Sequence, residues 1–125
     1  MMENTNTFEI NGKEHTLKLN LESVKHLNKL HEGGAFPLIQ KALSGDIDTY
    51  IDIVFAGLFH TNQGYSRNDV ENAVDALITE EKLDLAEINR TMYTVMADSF
   101  FYKKTLDKMF KSDPEAKKQL EELMK

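Results

Sequence analysis

The sequence predicts a mostly helical α+β fold, an N-terminal β-hairpin packed on about five or six helices. Two patterns carry that reading. Residues 8–21 alternate apolar and polar side chains around Asn11-Gly12, and nearly everything after them repeats at helical spacing between capping residues. The length of 125 residues bounds the answer to one domain, large enough to bury a core without staples.

The hairpin is read from "FEINGKEHTLKLNL". Phe8 and Ile10 alternate with polar neighbours, and Leu17, Leu19 and Leu21 alternate with Lys18 and Asn20. Asn11-Gly12 suits a tight turn with positive φ. A lone hairpin is marginal in water, so its apolar face must rest on helices. Residues 1–7 are polar and are expected to be disordered.

Residues 22–98 read as a helical body. Asn20 or Ser23 can cap a first helix carrying Val24, Leu27 and Leu30, closed by Gly33-Gly34. Pro37 suits the first turn of a short helix with Leu38, Ile39 and Leu43, stopped by Gly45. Asp46 is a good N-cap for a helix with Ile47, Ile51, Val54, Phe55, Leu58 and Phe59 on one face. Ser66 and Asp69 resemble a capping box before Val70, Ala73, Val74, Leu77 and Ile78.

Leu85, Ile88, Met92, Val95, Ser99, Tyr102, Leu106 and Met109 then fall at alternating spacings of three and four, a heptad seam whose weak position is Ser99. Unbroken, that helix would be about 38 Å long. A domain of this size has a radius of gyration of only about 14 Å. Either the helix bends near Asp98-Ser99, or its end projects and carries aromatics to a partner. Residues 99–125 are therefore read as a C-terminal helical arm, restarted at Ser112-Asp113-Pro114 and striped with Leu120, Leu123 and Met124.

Charge is uneven. The net is −6 overall, with zero over residues 1–45, −8 over 46–98 and +2 over 99–125. An acidic middle argues against nucleic acid, whose phosphates require clustered Lys and Arg. No apolar run approaches the roughly 20 residues that span a bilayer. Cysteine is absent, which excludes disulfides, thiolate metal sites and cysteine nucleophiles, and suits a reducing cytoplasm.

Catalytic and metal signatures are lacking. Glu22 and His26 share a helix face, but nothing at suitable spacing completes a ligand set, so surface helix residues are the plain reading. "DIDTYID" fails as a calcium loop, which would need a ligand at Tyr50 and a glycine at Ile51. Gly33-Gly34 lacks the Lys and Ser/Thr of a phosphate loop. No catalytic residue, cofactor or metal is assigned.

The order "F.INGK...LKL.L.S.K.LNK", "GG", "L..ALSGDID.YIDIVFAGL", "Y....VENAVD.L" and "FFYKK" resembles the phage tail assembly chaperone family of long-tailed phages and prophages of Gram-positive bacteria, over roughly residues 8–108. The resemblance implies a non-enzymatic protein of the bacterial host cytoplasm. Such proteins bind the tape measure protein, keep its long apolar helix soluble, bring tail tube subunits to it and are absent from the finished virion. The alternative class is a small helical phage-encoded regulator or inhibitor of a host protein.

A chaperone of an apolar helix needs adaptable apolar surface. Met92, Met96, Met109 and Met124 lie in the last third of the chain, and methionine repacks readily. They also fit ordinary core. The candidate partner surface is Phe100, Phe101, Tyr102, Leu106, Met109 and Phe110, for which core and partner surface remain alternatives.

Overall fold

In a computed structural model, residues 6–125 are described. They form a two-stranded antiparallel hairpin and seven α-helices. The disorder expected over residues 1–7 lies mostly outside the described residues, and Thr7 already belongs to the first strand.

Strands β1 (Thr7–Ile10) and β2 (Lys13–Thr16) pair with Ile10 opposite Lys13. The turn between them places Asn11 at φ 54° and Gly12 at φ 78°, both left-handed, as a two-residue hairpin with the strands' natural twist requires. The strand is shorter than its alternation suggested. The chain leaves the ladder at Leu17, which is buried, and Leu21 is exposed at the start of a helix rather than on the hairpin's apolar face. The reason is Asn20. Its side chain accepts the Ser23 amide while the Ser23 hydroxyl accepts the Asn20 amide, so the helix begins at once.

That helix, α1 (Leu21–Leu30), is followed by α2 (Ala35–Leu43) and α3 (Ile47–Gly57). Asp46 caps α3 by accepting the Thr49 amide and hydroxyl. Helix α3 is the central element, with Tyr50, Ile53, Val54 and Ala56 buried, while Ile47 turns outward. Gly57 lets the hairpin approach. The Lys18 amide donates to the Gly57 carbonyl at 3.0 Å, and a Cβ at Gly57 would stand 3.1 Å from the Cβ of Leu17. After a short 3-10 turn at Phe59–Thr61 comes α4 (Arg67–Thr79). Ser66 and Asp69 form the reciprocal capping box, and Val70 and Val74 reach the core.

The heptad seam is not one helix. It is divided into α5 (Leu85–Asp98) and α6 (Phe100–Ser112) by Ser99, whose ψ of 117° is extended. Ser99 is the last residue α5 can accommodate and the first that α6 uses: its amide donates to the Met96 carbonyl, and its carbonyl accepts the amides of Tyr102 and Lys103. The break folds α6 back onto α5, so the seam residues Met92, Val95, Tyr102 and Leu106 all end in one core. It also raises the anticipated five or six helices to seven among the described residues. Helix α7 (Pro114–Leu123), capped by Asp113, packs on α5 and α6 through Leu120. The Arg90 guanidinium donates to the Met124 carbonyl and fastens its end.

Candidate functional site

Helix α6 presents three stripes. Tyr102, Leu106 and Phe110 are buried and hold the helix to the core. Burial pushes the Tyr102 hydroxyl up to about 12. Phe101, Thr105, Lys108, Met109 and Ser112 follow at helical spacing along a second stripe. Phe100, Lys103, Lys104, Asp107 and Lys111 form the third and face solvent.

Most of the second stripe floors an open groove of about 800 Å³. One wall is α2, with Phe36, Gln40 and Leu43, and the other is α7, with Ala116, Gln119 and Leu123. Phe36 is 51% exposed and Leu123 43%, although both are large and apolar. Met109 is half-buried in the floor beside Phe110. Phe101, 57% exposed, stands beyond the groove at the start of the same helix, edge-on to Tyr102 with ring centroids 5.0 Å apart.

The six residues singled out in the sequence thus separate. Tyr102, Leu106 and Phe110 turn inward, Phe110 also edging the groove. Met109 lies in its floor, Phe101 extends its line, and Phe100 is 86% exposed on the outward stripe. Of the four late methionines, Met92 and Met96 are fully buried core, whereas Met109 and Met124 are only half-buried. The groove walls escaped the sequence reading. Phe36 sits just before Pro37 in the first turn of α2 and was not placed on any face, and nothing local indicates that α2 and α7 meet across α6.

A buried polar cluster was also missed. His31 ends α1 and meets Asp52 of α3 at 3.2 Å, while the Arg67 Nε of α4 donates to the other Asp52 oxygen at 2.7 Å. That bond holds the Arg67 guanidinium even more firmly charged than usual. Arg67 also reaches Glu71 at 3.1 Å. The cluster ties three helices together. Of the other histidines, His26 packs edge-on to Phe55 and Phe59. His15 bonds the Tyr65 hydroxyl at 2.8 Å, and His60 the Thr16 carbonyl at 2.7 Å. Among the described residues, no three His, Cys, Asp or Glu side chains gather as a metal site, and no helix is long and apolar enough to cross a membrane.

The groove is lined by apolar side chains together with polar ones, Lys108, Ser112 and Asp113 among them. No curated protein and no solved structure matches the chain significantly. The family model described as phage tail assembly chaperone protein, TAC, matches residues 7–111, from the first residue of β1 to the last turn of α6. That span holds the hairpin, the α3 core and the groove floor, and the chain belongs to this non-enzymatic family, whose partners are proteins of the phage tail.

Proposed function

We propose that this chain binds the tape measure protein through the groove between α2, α6 and α7. It thereby keeps that protein's apolar helix soluble in the host cytoplasm, helps bring tail tube subunits to it, and leaves before the tail is finished. The observation that carries the reading is the groove itself. A chain with 29% charged residues leaves Phe36, Met109 and Leu123 together on one open face. Contiguous exposed apolar surface of this kind marks interaction sites.

The dimensions suit a helix. A helix with its side chains is about 10–12 Å across, so the groove has room for roughly one to two turns. An amphipathic helix laid into such a groove buries its apolar face without needing a particular sequence. Met109 supplies a floor that repacks around different side chains. Phe101 would extend the contact by another turn, and Phe110 would anchor the floor from below. Tyr102 and Leu106 then act by holding α6 in place, and Phe100 stays outside this contact.

Co-expression tests the reading. The tape measure protein of the same phage or prophage, insoluble alone, becomes soluble and co-purifies with this chain. A tape measure protein that stays insoluble beside abundant folded chain contradicts the proposal. Recovery of one host protein instead would favour a regulator.

A further inference from the structure

Two charged side chains line the groove, Lys108 and Asp113, and they are not equivalent. The Asp113 carboxylate caps α7 by accepting the Ala116 amide at 3.2 Å, so its charge is taken up at a helix start. Lys108 is exposed one residue before Met109 and has no acidic partner within 4 Å among the described residues. The other polar side chains of the lining, Gln40, Ser44, Thr105, Ser112 and Gln119, are neutral and can meet a partner of either sign.

Helix α6 does not need Lys108 for its own stability. Lys111 is the basic residue of its last turn and serves the negative C-terminal end of the helix. Of the four lysines on α6, Lys103, Lys104 and Lys111 lie on the outward stripe, and Lys108 is the one that lines the groove. The groove therefore holds one uncompensated positive charge beside its apolar floor.

We infer that the groove selects amphipathic helices whose apolar stripe is flanked by Glu or Asp, and that Lys108 is the residue that selects them. This rests on the groove being a helix-binding site. Its apolar walls fix where the helix lies and leave the flanks of that helix unspecified. A carboxylate on the flank facing Lys108 gains an ion pair as water leaves the contact, whereas an ammonium there meets a like charge. The field of the whole chain acts in the opposite sense, because a net charge of −6 attracts basic partners at long range. At physiological salt, charges further apart than about 8 Å are largely screened, so the contact with Lys108 decides.

Two synthetic helical peptides test this. They share one leucine and methionine stripe, flanked by glutamates in the first and by lysines in the second, and each is titrated into the full chain at physiological salt. The glutamate peptide should bind about three- to fivefold more tightly, the scale of one solvent-accessible ion pair. Lys108→Glu should reverse the order. Lys103→Glu makes the same change of net charge on the outward stripe and should leave the order as in wild type. Both lysines are exposed, so both variants should keep the helical circular dichroism. Equal affinities in wild type, a preference for the lysine peptide, or an order that Lys108→Glu leaves intact would each overturn the inference and leave the groove standing as a helix site. A reversal by Lys103→Glu as large as that by Lys108→Glu would overturn it too, because the preference would then belong to net charge. Binding of neither peptide to the folded chain would overturn the groove reading, and this inference with it.

Discussion

The His31 imidazole meets the Asp52 carboxylate at 3.2 Å in the interior, 21 residues apart in sequence. Arg67 closes the other carboxylate oxygen at 2.7 Å. A buried carboxylate is costly unless its oxygens are taken up, and here two helices supply the partners for a third.

Removing the centre of that cluster strands both neighbours. Asp52→Ala should lower the unfolding free energy by about 2–3 kcal/mol, less than a fully buried pair would, because Arg67 is 35% exposed. Urea denaturation measures it. A loss below about 0.5 kcal/mol, the level of an ordinary surface change, would mean that the cluster does not hold the helices together.

The hairpin turn is a backbone matter. Gly12 sits at φ 78° with open space where a Cβ would be, so a larger residue meets strain and no clash. Gly12→Val should cost about 1–2 kcal/mol, the usual penalty for an L-residue in this region, or roughly 4–8 °C in Tm. An unchanged melting curve would contradict the turn.

The α3 cap carries a pH signature. The Thr49 hydroxyl, then the Thr49 amide, hold the Asp46 carboxyl below its ordinary value. A folded-state value below the unfolded one stabilises above the unfolded value and loses that contribution as pH falls through the folded one. Asp46→Ala should therefore cost about 1 kcal/mol near neutrality, and the gap to wild type should shrink below roughly pH 4. A gap that is constant down to pH 2 would exclude the carboxylate as its source.

Much of this fold is legible locally. Asn20, Asp46, Ser66 and Asp113 each cap a helix, and Asn11-Gly12 makes the hairpin, because caps and turns are contacts between residues close in sequence. The seam hid its break because one extended residue at Ser99 leaves the three-four spacing intact on both sides. Length against the domain radius left two readings, a bend near Ser99 or a projecting end, and only tertiary packing decides that α6 folds back. The groove was half legible. Met109 of its floor was on the candidate surface, but the walls come from α2 and α7, which nothing local brings to either side of α6. His31, Asp52 and Arg67 share no local pattern at all.

Aromatics nine residues apart on α6 should part company. Phe110 is buried against Tyr93, ring centroids 6.2 Å apart, so Phe110→Ala opens a cavity and should cost about 3 kcal/mol. Phe101→Ala, at an exposed position, should stay within about 0.5 kcal/mol of wild type. Thermal melts of both variants check this, and equal losses would contradict the division of α6 into a buried and an exposed stripe.

The most direct test of the groove is the Kd for a soluble helical fragment of the cognate tape measure protein, compared between wild type and Phe36→Asp combined with Leu123→Asp. Both side chains are roughly half exposed on opposite walls, so the double variant should keep its Tm. Binding should weaken by about 30-fold or more, the effect of losing an interface anchor worth about 2 kcal/mol. An unchanged Kd in the folded double variant would show that the tape measure helix binds elsewhere.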